Sequence, residues 1–174
     1  MTKETDRKWL ERLWAKHGDH VFAYAARRVG ASDAEDVVAD VFMVAWRHRS
    51  RRPRLELPWL YGVARKVLSD HYRSQQRRGR LLERVGSLPS DSSESMPAHS
   101  DLLALDSVLD DLSDDDREAL LLTAWEGLSP GEAAQVVGVT GAAFRMRLSR
   151  ARRRFRGLLA DADEDVESGG GGSP

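Results

Sequence analysis

The sequence of 174 residues has no cysteine and no long apolar run. Without cysteine, the chain cannot hold a disulfide scaffold, a thiolate zinc site or a catalytic thiol. No apolar run approaches the roughly 18 residues that a membrane-spanning helix needs. The charged start MTKETDRK is unlike a signal peptide. We therefore expect a cytoplasmic protein that is not inserted in a membrane.

Signals for enzymatic chemistry are also scarce. The sequence has no glycine-rich phosphate loop. His17 and His20 lie three residues apart, but no third metal ligand accompanies them, so we expect no metal site. Asp70 and His71 are adjacent and diverge on a helix, and His71 falls in an apolar stripe that favours a hydrogen-bonded core histidine. We predict a protein that is not an enzyme and has no cofactor.

Strand-like alternation is missing as well, and apolar residues recur at steps of three and four. We predict an all-α protein with an N-terminal bundle of three or four helices and a C-terminal helix-turn-helix bundle, joined by a flexible linker. Gly18-Asp19 predicts a break in the first helix, and Ser32 to Glu35 matches a capping box that opens the next one. The predicted boundaries are 1–78 for the first domain, 79–101 for an acidic linker rich in serine, 102–160 for the second domain and 161–174 for a disordered tail. The glycine run of that tail is either natural or an engineered scar.

The formal net charge of −1 comes from blocks of opposite sign that cancel. Basic residues are in excess over residues 1–85 and 127–160, whereas residues 86–126 contain Arg117 as their single basic residue and residues 161–174 are acidic. Basic modules usually bind nucleic acid or an acidic protein surface. The distribution predicts two basic modules separated by an acidic stretch.

The most specific motif lies between residues 128 and 155. Ser129-Pro130-Gly131-Glu132 predicts a capping box with proline in the first turn of a short helix. Gly138 fits the left-handed residue that ends this helix, and Thr140 would cap a longer helix rich in arginine. Two helices joined by a glycine turn also occur in all-α proteins that do not bind DNA. However, the second helix carries arginines without an acid between residues 132 and 161, which favours a polyanion partner. We predict a helix-turn-helix whose second helix enters the major groove of DNA.

Three segments carry the patterns of a known family. LSPGEAAQVVGVTGAAFRMRLSRARRRF resembles the pattern L-S-x-x-E-I-A-x-x-L-G-V-S-x-G-T-V-K-S-R-L-x-R-A-R. DAEDVVADVFMVAWRH resembles DAEDLVQEVFLRLWR, and PWLYGVARKVLSDHYRSQQRR resembles AWLYRIARNLLIDHLRRRRR. The matches follow the family's order and cover most of residues 10–157. The chain thus resembles the ECF (extracytoplasmic-function) sigma factors, which bind core RNA polymerase and direct it to promoters.

The resemblance implies a polymerase-binding face on the DAED helix, which in the family meets a coiled coil of the largest polymerase subunit. Ala39 replaces a glutamine of the family, so one hydrogen bond of that contact is expected to be lost. A solvated acidic face beside a basic bundle is the alternative interpretation. The candidate polymerase contacts are Asp36, Ala39, Asp40, Met43 and Arg47.

The resemblance also implies that the first domain reads and opens the minus-ten element. Lys66 stands where the family commonly has asparagine, which suggests a changed base preference or a phosphate contact. Tyr61 and Tyr72 are candidates to stack on an unpaired base, whereas Trp59 is expected to pack within the domain. The candidate contacts of loop 49–56 and the next helix are Arg49, Arg51, Arg52, Arg54, Tyr61, Arg65, Lys66, Ser69, Asp70 and Arg73.

The second domain would read the minus-thirty-five element as duplex DNA. Ala143 stands where the family often has threonine, so one phosphate contact is expected to be missing. The base-facing candidates are Arg145, Met146, Ser149 and Arg150, those nearer the DNA backbone are Arg147, Arg152 and Arg154, and Thr140 and Arg153 complete the set.

The family also implies an anti-sigma factor as a partner, beside core RNA polymerase and promoter DNA. Its linker passes through the polymerase cleft, where Asp91, Glu94 and Asp101 would mimic RNA phosphates, and a plain tether is the alternative. Two rival functions stay open from the sequence. One is a free-standing helix-turn-helix regulator that binds duplex DNA without polymerase, and the other is a helical adaptor that binds an acidic protein.

Overall fold

The structure, a computed structural model, describes residues 3–85 and 108–169, and the regular elements within these ranges are all helices. Two compact units divide the chain, Met1–Ser95 and Met96–Pro174. The first contains α1 (Lys3–Val29), α2 (Ala31–Arg47) and α3 (Glu56–Val85). In the second, residues 108–110 are helical and are followed by α4 (Asp114–Ala124), α5 (Pro130–Val137) and α6 (Gly141–Gly169). The prediction of an all-α protein with two small helical domains is confirmed.

The three helices of the first unit pack around one apolar core. Leu13 of α1, Val41 of α2 and Leu60 of α3 are almost fully buried. Inside this core Tyr24 and Tyr61 stack with ring centroids 4.8 Å apart. Because each helix buries one stripe, the polar face of α2 and that of α3 are left at the surface.

The predicted break at Gly18-Asp19 is wrong, because α1 continues from Lys3 to Val29. Glycine in a helix interior costs roughly 1 kcal/mol relative to alanine. Burial of Val21 and Tyr24 just beyond it offsets that cost, since a break would pull both side chains from the core. Tertiary packing here outweighs a local propensity.

The predicted capping box at Ser32 to Glu35 is also wrong. Helix α2 begins at Ala31 with Gly30 as its N-cap, and no side chain caps it. Gly30 has φ 79°, a conformation that glycine adopts without steric cost. The helix therefore begins two residues earlier than predicted, which places Ser32 inside it, where the Ser32 hydroxyl lies 3.4 Å from Asp33 Oδ1.

In the second unit, Leu109, Leu112 and Leu121 form a buried cluster against which Phe155 and Leu158 of α6 pack. Ser113 caps the start of α4, because its Oγ accepts a hydrogen bond from the Asp116 amide at 3.3 Å. This packing fixes α6 against α4 and leaves the opposite side of α6 exposed.

Two helices extend past the predicted boundaries. Helix α3 continues to Val85, although the linker was predicted to start at residue 79. Helix α6 continues to Gly169, where we predicted a disordered tail from residue 161. The rest of the predicted linker, residues 86–101, lies outside the described residues, as do residues 170–174.

Candidate nucleic-acid interface

Local hydrogen bonds build the turn between α5 and α6. Ser129 Oγ accepts from the Glu132 amide at 3.3 Å, and Glu132 Oε2 accepts from the Ser129 amide at 2.9 Å, so the predicted capping box is present. The bonds that this carboxylate accepts from the Ser129 hydroxyl and amide hold the pKa of Glu132 below its usual range. Gly138 ends α5 in the left-handed conformation with φ 74°. The turn therefore has the helix-turn-helix form that the sequence predicts.

Thr140 begins α6 as a capping residue. Its Oγ1 accepts a hydrogen bond from the Ala143 amide at 3.2 Å, as predicted. Ala143 is exposed, because the first turn of α6 projects beyond the core. Phe144 and Leu148 are the first side chains of α6 that enter the core.

The exposed face of α6 carries arginines together with Met146 and Ser149. Met146, the most exposed large apolar side chain of the described residues, is 69% exposed. Buried Leu148 and Ala151 lie on the opposite side of the helix. The exposed candidates for DNA contact on this helix are Arg145, Met146, Ser149, Arg150, Arg152, Arg153 and Arg154.

Two of the candidate arginines on α6 are paired with carboxylates of α4. Arg147 Nη1 lies 3.0 Å from Asp115 Oδ1, and Arg154 Nη1 donates to Asp116 Oδ2 at 2.5 Å. The sequence shows no acid near these arginines, because the acids come from a helix some thirty residues earlier in the chain. The run Asp114–Asp116 also lies in the first turn of α4, where negative charge is favourable.

Asp6 of α1 forms ion pairs with two arginines of the basic loop 49–56. Arg49 Nε lies 3.5 Å from Asp6 Oδ2, and Arg52 Nη2 lies 3.1 Å from Asp6 Oδ1. The Arg52 guanidinium also lies 5.2 Å from the centroid of the Trp9 ring. Arg51 and Arg54, the remaining candidates of this loop, are exposed. The sequence pattern gave no signal for the role of Asp6.

The polar face of α3 carries most of the remaining minus-ten candidates. Arg65, Lys66, Asp70 and Arg73 are exposed and Ser69 is half-buried. Asp70 and Arg73 form a loose pair at 3.8 Å on one side of the helix. The exposed candidates on this face therefore carry more positive than negative charge.

The prediction that Tyr61 stacks on a base is wrong. Tyr61 is fully buried against Tyr24, because the stripe of α3 that carries it packs on α1. Tyr72 is 44% exposed, and its hydroxyl donates to the backbone oxygen of Arg28. Trp59 is half-buried, and its ring lies in a T-shaped arrangement with His48, with the ring centroids 6.1 Å apart. Of the two tyrosines, only Tyr72 presents part of its ring to solvent.

The five polymerase candidates all lie on the exposed face of α2. Four of them, with Ala39 as the exception, line a shallow cleft of about 450 Å³ between α2 and α3. Val67, Asp70 and Ser74 of α3 line the same cleft. The cleft combines an apolar floor with carboxylates and one arginine, a mixture suited to a helical protein partner.

His17 and His71 each lie beside a carboxylate within the first unit. His17 is 6% exposed, and its Nε2 lies 3.3 Å from Glu56 Oε2. Burial lowers the pKa of His17, although the hydrogen bond to Glu56 opposes that shift. His71 is half-buried and meets Asp33 at 3.3 Å. Within the described ranges no three potential metal ligands cluster, and no helix is long and apolar enough to cross a membrane.

Comparisons with known proteins agree with this geometry. The family described as Sigma-70 region 2 matches residues 13–78, and the family described as Sigma-70, region 4 matches residues 102–155. The chain is 33% identical to RNA polymerase sigma factor CnrH of Cupriavidus metallidurans, over 88% of this chain and 87% of CnrH. It is also 33% identical to ECF RNA polymerase sigma factor SigC of Mycobacterium tuberculosis, over 86% of this chain and 80% of SigC.

A solved structure is similar along most of the chain. Sigma factor RpoE, crystallised with the anti-sigma factor NepR from Bartonella quintana, matches with a TM-score of 0.62 and 28% identity. The match covers 91% of this chain and 98% of RpoE. With a region 2 unit, a region 4 helix-turn-helix and relatives that are 33% identical over most of their length, the chain belongs to the ECF RNA polymerase sigma factors, which direct the polymerase to specific promoters.

Proposed function

We propose that the two units divide promoter recognition between them, with the second unit reading the minus-thirty-five element. The observation that carries this proposal is the exposed face of α6, which follows a well-formed helix-turn-helix turn. Arg145 and Arg150 are exposed on that face and present the fork that binds guanine O6 and N7 in the major groove. Met146 and Ser149 lie beside them and would contact neighbouring base edges. Arg152 and Arg153, farther along α6, would contact phosphates.

The first unit is proposed to open the minus-ten element. Opening requires at least one unstacked base, which costs a few kcal/mol. Phosphate contacts from Arg51, Arg54, Arg65 and Arg73 would offset this cost, since these side chains are exposed. Lys66 is exposed among them on α3 and would contact a phosphate or a base. With Tyr61 in the core, Tyr72 is the tyrosine proposed to stack on the displaced strand.

The cleft between α2 and α3 is the proposed site for core polymerase. Asp36 and Asp40 supply negative charge along its rim, and Met43 supplies an exposed apolar contact at 51% exposure. A helix of the polymerase with basic and apolar residues would fit both features. Because polymerase acts in the cytoplasm, we propose that the protein does so too.

An anti-sigma factor is the further proposed partner. Support comes from RpoE, a relative that was solved with the anti-sigma factor NepR. We propose no catalytic residue and no cofactor, since sigma factors act as DNA-binding regulators. The proposal that Asp91, Glu94 and Asp101 enter the polymerase cleft falls on residues outside the described ranges.

Run-off transcription tests the function directly. We expect purified core polymerase to gain promoter-specific initiation when the full chain is added, and to lose it with a chain whose Arg145 and Arg150 are both alanine. A free-standing regulator would bind duplex DNA but give no transcript in this assay. That result would overturn the proposal, and the region 2 match over residues 13–78 already argues against it.

A further inference from the structure

The arginines along α6 differ in the charge that surrounds them. Arg145, Arg150, Arg152 and Arg153 are exposed and form no ion pair with the acids that the structure describes. Arg154 follows directly in sequence, yet it donates to Asp116 of α4 at 2.5 Å. Arg153 and Arg154 are therefore adjacent in sequence, but only Arg154 forms an ion pair with a described acid.

The partner of Arg154 is a buried carboxylate. The Asp116 side chain is 7% exposed, whereas that of Arg154 is 62% exposed. A buried carboxylate needs a close cation, because an unpaired buried charge is strongly destabilising. Arg154 therefore serves the fold by neutralising Asp116 and fastening α6 to the start of α4.

Other acids surround the same guanidinium. Arg154 lines a shallow cleft together with Asp111 and Asp161, which are both exposed. These carboxylates would repel a DNA phosphate that approached Arg154. Arg147 is also paired with an acid, because its half-buried side chain lies 3.0 Å from Asp115. Unlike Asp116, Asp115 is exposed.

We propose that the acids at the start of α4 divide the arginines of α6 into two classes. Arg154 and Arg147 are held by Asp116 and Asp115 and do not neutralise DNA phosphates. The exposed arginines that pair with no described acid, Arg145, Arg150, Arg152 and Arg153, form the DNA-binding surface, which excludes Arg147 and Arg154. This inference rests on the proposed reading of duplex DNA by the second unit.

The salt dependence of DNA binding tests the division. Each phosphate that a protein neutralises contributes about 0.9 to the slope of log K against log salt concentration. The probe is one fixed random-sequence DNA duplex, and affinity is measured by fluorescence anisotropy over a series of salt concentrations with the full chain. We expect Arg153→Gln to lower the slope by about 0.9, and Arg154→Gln to leave the slope unchanged. A drop for Arg154→Gln equal to that of Arg153→Gln would overturn the inference.

Failure of the proposed function gives a different result, because the unsubstituted chain would then show no salt-dependent affinity for the duplex. Arg154→Gln leaves the buried Asp116 carboxylate without a cation, which destabilises the fold. Arg147→Gln therefore serves as the second variant. Its partner Asp115 is 58% exposed and tolerates the loss. We expect an unchanged slope here as well, and a drop of about 0.9 would again contradict the inference.

Thermal unfolding tests the anchoring role independently of DNA. Asp116→Asn and Arg154→Gln are each expected to lower Tm, and the double variant should be no less stable than the more damaging single variant, because the two side chains act as one pair. Strictly additive losses would show that Arg154 does not act through Asp116. Arg153→Gln is the matched control and should leave Tm unchanged.

Discussion

Arg150 is the residue on which base specificity is expected to depend most. A bidentate arginine–guanine contact contributes about 1–3 kcal/mol of discrimination, and the Arg150 side chain is exposed on the proposed reading face. We expect Arg150→Ala to remove the preference for one base pair of the minus-thirty-five element. Competition binding with single-base-pair variants of the promoter duplex measures this preference. Arg152→Ala is the comparison and should weaken all the duplexes alike, so equal profiles for the two variants would contradict the assignment.

His17 is expected to make the stability of the first unit depend on pH. Burial lowers its pKa in the folded state, so the unfolded chain binds a proton first as the pH falls. Stability that is present near pH 7 should therefore decline as the pH falls below about 6.5, the ordinary pKa of histidine. Thermal unfolding between neutral and acidic pH measures this decline. His17→Gln should flatten the curve in this interval, and an unchanged pH dependence would contradict the assignment to His17.

At the level of elements, Asp6 connects the start of α1 to the loop between α2 and α3. It pairs with both Arg49 and Arg52 across this boundary, and its side chain is only 14% exposed. We expect Asp6→Asn to lower the free energy of unfolding by up to about 1 kcal/mol, the upper range for pairs near the surface. Urea denaturation followed by circular dichroism measures the change.

Glu4→Gln is the control for the Asp6→Asn variant. Glu4 forms ion pairs only within α1, with Arg7 and Lys8, among the contacts that the structure gives it. Its loss should therefore change the unfolding free energy less than the loss of Asp6. Equal effects would mean that the contact between α1 and the loop contributes nothing of its own.

For the whole molecule, the important prediction is that polymerase binding and duplex binding are separable. We expect the double variant Asp36→Lys, Asp40→Lys to lose affinity for core polymerase, because both carboxylates line the cleft between α2 and α3. The affinity of the second unit for a minus-thirty-five duplex should stay unchanged. Pull-down with core polymerase and anisotropy with the duplex measure the two activities. Glu35→Lys reverses one charge on α2 outside the cleft, half the change in the double variant, and loss of polymerase binding there would refute the assignment.

Local signals predicted the second unit better than the first. The Ser129 to Glu132 capping box and the left-handed Gly138 were predictable, since their hydrogen bonds and backbone conformation involve residues a few positions apart. The same type of signal failed at Gly18 and at Ser32, because the packing of α1 and the turn at Gly30 decided those boundaries. Tyr61 was misassigned for a related reason. Its spacing allowed either an exposed or a buried ring, and only its stacking on Tyr24 decides between them.

The sequence by itself determined the helical class, the helix-turn-helix motif and the family, because periodicity, caps and motif patterns depend on residues close together along the chain. Tertiary structure decided which charges are available for a partner. Asp116 and Arg154 are 38 residues apart, and Asp6 and Arg52 are 46 apart, so neither pair leaves a pattern in the sequence. An ion pair requires its atoms within a few ångströms, and only the packing of α4 on α6 and of α1 on the loop after α2 brings these atoms together. The arginines of α6 can therefore be located from the sequence, but only the fold shows which of them are paired with an acid and which are available to bind DNA.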